Sequence, residues 1–155
     1  MAQISAGILL FRRRPAGLEV LLVHPGGPLW AKKDAGIWSI PKGLVHADED
    51  LMAAAIREFE EEIGCKPAGP FTPLTPVKLK SGKVVHAWAC EGACDPAAVR
   101  SNTFTMEWPP HSGRQREFPE IDRAEWFTVA QAREKLSVQM MALVEELGRK
   151  FTGPR

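Results

Sequence analysis

The run from Asp48 to Ile63 constrains this chain more than any other segment, because it lacks glycine and proline and consists of good helix formers. Asp48 can cap its start and Gly64 can stop it, so the sequence predicts a helix over Asp48 to Ile63. Met52, Ile56, Phe59 and Ile63 recur at helical spacing and form one stripe facing a core. Glu58, Glu61 and Glu62 also recur at helical spacing and share a different face. Crowding like charges in this way costs a helix about a few tenths of a kcal/mol per pair, and within the segment only Arg57 offsets it. A divalent cation would offset it too. With no His or Cys among these carboxylates the donor set is hard, which favours Mg²⁺, with Mn²⁺ as a substitute, and suits chemistry on phosphates. A solvated acidic face has the same local spacing, so the wider pattern must separate the two readings.

The flanking segments read as strands. Ile4 to Arg12 and Leu18 to His24 predict a hairpin around Pro15-Ala16-Gly17, and Val77 to Lys80, Val84 to Cys90, Thr103 to Trp108 and Glu125 to Phe127 predict further strands. Pro25 to Gly36 is loop-like and long enough to suggest a functional role, and Ile37 to Ile40 is a short strand ending at Pro41. Val129 to Phe151 predicts a terminal helix with Ala132, Leu136, Met140, Leu143 and Leu147 on its apolar side. At 155 residues the chain is the size of one domain, expected to span 1–155. Lys plus Arg number 20 against 19 Asp plus Glu, so no global field exists to collect nucleic acid or lipid, and no stable nucleic-acid partner is expected. No apolar run approaches a membrane span, and the three cysteines, Cys65, Cys90 and Cys94, fit structural thiols in a reducing compartment. The expected location is cytoplasmic, without membrane attachment.

Gly43, Glu49 and the block Arg57-Glu58-Phe59-Glu60-Glu61-Glu62-Ile63-Gly64-Cys65 stand at spacings that together resemble the complete signature box of the Nudix hydrolase family. Only Cys65 departs from it, standing where an aliphatic residue is usual, and a buried thiol can act there as a small hydrophobe. The order of strands, box, final strand and final helix is similar to the family over most of the chain. The resemblance implies an α/β fold, an α/β/α sandwich around a mixed sheet. It also implies Mg²⁺-dependent hydrolysis of a phosphoanhydride bond in a nucleoside diphosphate linked to another group. Glu58, Glu61 and Glu62 would hold metal together with the Gly43 carbonyl. Arg57 would orient a catalytic Glu, with Glu49 as its support, while Glu60 points elsewhere.

Beyond the box, the family's further carboxylate in the loop before the last core strand maps onto Glu120 first and Glu117 second, and the base could equally be a box Glu. The lead-in Pro41-Lys42-Gly43 resembles that of diadenosine polyphosphate and diphosphoinositol polyphosphate hydrolases, which makes Lys42 a candidate phosphate contact. Arg114, Arg116 and His111, with Lys32 and Lys33, are candidates for gripping a polyphosphate tail, although each is also ordinary surface charge. The chain has no Tyr to stack a base, leaving Trp30, Trp38, Phe104 or Trp108 for that role or for the core. A dinucleoside polyphosphate or nucleoside triphosphate is the expected substrate, and a homodimer is compatible with the family. The alternatives are a noncatalytic Nudix-like module that binds a nucleotide or ADP-ribose, which the intact glutamate set argues against, and an isoprenoid diphosphate isomerase, which wants a catalytic Cys.

Overall fold

The computed structural model describes residues 3–151. Strands β1 (Ile4–Arg14) and β2 (Gly17–Pro25) form the expected hairpin, closing with Arg14 opposite Gly17. Strand β3 (Lys42–Leu44) pairs with the other end of β1 and leads into helix α1 (Leu51–Ile63). Then come β4 (Thr72–Pro73), β5 (Val77–Lys78) and β6 (Val84–Glu91), a 3₁₀ turn at Pro96–Ala98, and β7 (Thr103–Glu107) with β8 (Gln115–Pro119). The chain continues with β9 (Ile121–Thr128), α2 (Val129–Lys135) and α3 (Val138–Phe151).

The main sheet runs β4-β6-β1-β2-β9, with β3 beside β1 and β5 beside β6. It is mixed because β6 runs parallel to β1 while its other pairings are antiparallel. Alternation along the central strands builds two cores. Ala6, Ile8, Leu10, Leu21 and Val23 face α1, where Ala54, Ala55, Phe59 and Ile63 meet them. Leu9, Phe11, Val20, Leu22 and Phe127 face the other way, toward Ala132, Met140, Leu143 and Leu147 of α2 and α3. This is the expected α/β/α sandwich.

Several local expectations change. Helix α1 starts later than predicted: Asp50 is the cap, its carboxylate accepting from Ala53 N at 3.0 Å, while Asp48 sits in a left-handed turn at φ 63°. Met52 drops off the core stripe and is 38% exposed, because the buried face rotates to Ala54, Ala55, Phe59 and Ile63. Ile37 to Ile40 makes only isolated bridges, Val23 with Ser39 and Trp38 with Leu136. The Pro109 to Pro119 segment, for which the sequence predicts no strand, turns the β7–β8 hairpin and supplies β8. The terminal helix is interrupted at Leu136-Ser137, where α2 ends and α3 begins. Among the described residues, no helix is long and apolar enough to cross a membrane.

Candidate active site

The acidic face of α1 is organised by one side chain. Arg57 grips Glu49 with two parallel bonds, Nε to Oε2 at 2.8 Å and Nη2 to Oε1 at 2.9 Å. Its Nη1 reaches Glu58 Oε1 at 2.9 Å and Glu61 Oε1 at 3.2 Å, and Nη2 also donates to the Leu44 carbonyl at 3.2 Å. The guanidinium fork thus fixes the segment between β3 and α1 and holds two of the three box carboxylates on one side. Glu49 additionally accepts from His46 N at 3.0 Å, and these bonds, Arg57 foremost, hold its carboxyl at about 2, far below the ordinary 4.5. Glu60 is exposed, as expected.

Glu62 lies apart from the Arg57 cluster and accepts from Lys42 N at 3.2 Å. Burial, reinforced by the charges of Glu58 and Glu120, pushes its carboxyl up to about 8. Glu58 is raised by burial and by Glu61 against the lowering effect of Arg57. Gly43 is required between them: a Cβ there would collide with the Glu58 carboxylate. Among the described residues the acids are not gathered into a ready coordination shell. The donor set nonetheless fits a hard divalent cation: the Glu58 carboxylate lies against Gly43, Glu62 accepts from the adjacent Lys42 N, and both carboxyls are destabilised as anions by their surroundings.

Opposite the box, Glu120 occupies the single bend between β8 and β9. Its carbonyl accepts from Gly26 N at 2.8 Å and its own N–H donates to Asn102 O at 2.9 Å. Asn102 N in turn donates to Glu61 O at 3.1 Å, and Arg100 N to Ile63 O at 3.1 Å, so the strap 94–102 ties the last turn of α1 to the backbone of Glu120. Glu120, Glu62 and Lys42 line one cavity of about 300 Å³ whose apolar wall includes Pro25, Ile37 and Ile40. Lys42 is lowered below its ordinary value by burial and by Lys83, against the opposing pull of Glu62 and Glu58. A larger cavity of about 410 Å³ lies between the β1–β2 turn, α2 and α3, at the far end of β1 from the box. Its wall is almost wholly apolar and carries no glutamate cluster, so the smaller cavity is the one with chemistry.

The structure separates the outer candidates from this site. Arg114 lies at the β7–β8 turn and Arg116 on β8 opposite Met106, its guanidinium 6.0 Å from the Phe118 ring; neither lines the cavity. Glu117, paired with Thr105 on the exposed hairpin, does not line it either. His111 belongs to the same turn, where Glu107 accepts from its N–H. Lys33 stands 5.2 Å from the Trp30 ring, and Trp38 is core.

Sequence reasoning missed one tie. His24, fully buried, contacts Asp122 Oδ1 through Nδ1 at 2.7 Å and the Lys33 carbonyl through Nε2 at 2.6 Å. Both ring nitrogens are thus engaged, one by a side chain and one by the backbone. A bulge between His24 and Pro25 takes Asp122 out of the β2–β9 register, leaving it free to meet the ring. His24 therefore fastens the 26–36 loop to the start of β9, two residues from Glu120. No local signal could have found this, because its partners lie 98 and 9 residues away.

A family model described as NUDIX domain matches residues 1–147. The chain is 31% identical over 135 residues to an octanoyltransferase of Myxococcus xanthus, covering 87% of this chain and 30% of that protein. It is 51% identical over 39 residues to an RNA pyrophosphohydrolase of Gluconacetobacter diazotrophicus, covering 25% of this chain and 21% of that one. The chain thus spans less than a third of either relative. Among solved structures, the NUDIX domain of Shewanella oneidensis NrtR complexed with ADP ribose superposes with a TM-score of 0.67 at 17% identity, covering 97% of this chain and 88% of that one. A C. elegans Ap4A hydrolase binary complex superposes with a TM-score of 0.67 at 21% identity, covering 99% and 100%. At these identities the structural likeness speaks for the fold.

Proposed function

The chain belongs to the Nudix family, and from that premise we propose that it hydrolyses a phosphoanhydride bond in a nucleoside diphosphate linked to another group, with a dinucleoside polyphosphate or a nucleoside triphosphate as substrate. The observation that carries this reading is the intact acidic constellation: Arg57 bonded to Glu49, Glu58 and Glu61, with Glu62, Glu120 and Lys42 on one cavity. A noncatalytic nucleotide sensor has no need to hold three crowded glutamates and an opposing fourth.

In this reading Glu58, Glu61, Glu62 and the Gly43 carbonyl would hold Mg²⁺, or Mn²⁺ in its place, which would supply charge neutralisation at phosphate oxygens and a more acidic water. The chain's own residues do the rest. Arg57 holds Glu58 and Glu61 in place. Lys42 offers an ammonium to the phosphate chain at the cavity wall. Glu120, exposed opposite the box, takes the proton as water attacks phosphorus, with the bridging oxygen leaving on the departing phosphate. A cavity of about 300 Å³ leaves the far end of a dinucleoside polyphosphate outside, and Arg114 and Arg116 are assigned to that end.

The test is a substrate panel with Mg²⁺, spanning diadenosine tetraphosphate, nucleoside triphosphates, 5′-triphosphorylated RNA and ADP-ribose, on wild type and Glu61→Gln. Turnover of a polyphosphate by wild type, lowered about a hundredfold or more in the variant, is the expected outcome. Tight binding of one nucleotide with no turnover by either protein would replace the enzyme with the sensor.

A further inference from the structure

Two of the three cysteines, separated by 29 positions, meet at the exit of the acidic helix: Cys65 Sγ lies 3.5 Å from Cys94 Sγ. This overturns the expectation that Cys65 is a buried hydrophobe, since it is exposed, whereas Cys94 is half-buried and Cys90 fully buried. The backbone presents the two thiols to each other. Cys65 directly follows Gly64, the left-handed cap of α1, and Cys94 lies just past β6, where its carbonyl accepts from Trp126 Nε1 at 3.1 Å. Between them, Arg100 and Asn102 bond the strap to the last turn of α1. Among the described residues no cluster of three or more potential ligands surrounds the pair.

We propose that Cys65 and Cys94 form a reversible disulfide, an oxidative modification site that staples the end of the catalytic helix to the strap carrying Asn102. The oxidant is a peroxide. The exposed Cys65 sulfur attacks the O–O bond and takes one oxygen, becoming a sulfenic acid while the other oxygen leaves as water. The Cys94 sulfur then attacks the Cys65 sulfur, the S–O bond breaks, and the hydroxide leaves as a second water with the Cys94 proton. Two electrons pass from the thiols to the peroxide, and a small dithiol restores both thiols by exchange. Burial and the neighbouring Cys65 push the half-buried Cys94 thiol up to about 12, and the exposed Cys65 is the sulfur that peroxide reaches first. A small cavity of about 100 Å³ lined by Cys65, Phe59 and Pro67 opens beside the pair, and Cys90 lines it too, which makes Cys90 the competitor to test.

The disulfide is read without any assay of turnover, so its fate and that of the hydrolase reading are independent. The full chain is treated with hydrogen peroxide, digested without reduction and mapped by mass spectrometry. The expected result is one intramolecular link between the Cys65 and Cys94 peptides, Cys90 remaining free, and full reversal by dithiothreitol. Closing a loop of roughly 30 residues should raise the melting temperature by about 5 °C or more in wild type and in Cys90→Ser, with no rise in Cys65→Ser. Absence of the link, a link through Cys90, covalent dimers, or the same melting shift in Cys65→Ser would each overturn the proposal.

Discussion

Arg57 carries more of the acidic site than any single glutamate, because one guanidinium satisfies Glu49, Glu58, Glu61 and the Leu44 carbonyl together. Lysine keeps the charge but not the fork, so Arg57→Lys should lower kcat about ten- to a hundredfold while the protein stays folded, as checked by steady-state kinetics and circular dichroism. Titration gives a second prediction. Glu62 keeps its proton up to about 8 in the folded chain, against 4.5 ordinarily, chiefly through burial. The folded state then binds more protons than the unfolded one across that window, so this group makes stability fall as pH rises from 4.5 to about 8. In the proposed reading Mg²⁺ would compete for the same carboxylates. Urea denaturation across that range should show the slope without divalent ions and its flattening in saturating Mg²⁺; a slope indifferent to the cation would remove Glu62 from the metal set. Glu49 acts with the opposite sign: lowered to about 2 by Arg57, it supports the fold fully above 4.5, and that support is lost as pH falls through about 2.

At the scale of elements, α1 shows how a correct helix can carry a wrong stripe. Met52, Ile56, Phe59 and Ile63 have the right period, but packing rotates the buried face toward Ala54 and Ala55, because alanines let the helix approach Ala6, Ile8 and Leu21 closely. Met52→Gln should therefore change stability by less than about 0.5 kcal/mol, whereas Phe59→Ala should cost about 3 to 5 kcal/mol, both measured by chemical denaturation. The cap shifts for a related reason: Asp48 and Asp50 are both chemically able, and only the left-handed turn at Asp48 hands the role to Asp50. The β7–β8 hairpin was half legible. Thr103 to Trp108 reads as a strand, but Gln115-Arg116-Glu117-Phe118-Pro119 lacks alternating apolar residues and becomes one only by pairing with it.

Across the whole molecule, the site depends on ties between segments remote in sequence. The end of α1 bonds to the strap through Glu61 and Ile63 carbonyls, the strap bonds to Glu120, and Glu120 bonds to Gly26. His24 adds the buried link from Asp122 to the Lys33 carbonyl. Replacing His24 by Leu should leave the 26–36 loop and the start of β9 less protected from hydrogen exchange and lower kcat more than about tenfold. Arg116→Ala, on the exposed hairpin outside the cavity, should alter KM and spare kcat. Exchange mass spectrometry and kinetics on both variants check this, and equal losses of kcat would remove the distinction. The family's box, the identity of its acids and the alternation that makes a two-faced sheet are legible in the residues alone, because these are properties of spacing along one helix or strand. Tertiary structure alone decided how the acidic face is divided. Glu58 and Glu61 fall to Arg57 and Glu62 to Lys42, because β3 lays Lys42 against one side of α1. It also decided that Glu120, and not Glu117, completes the cavity, since a single bend between two strands turns that one residue toward the box.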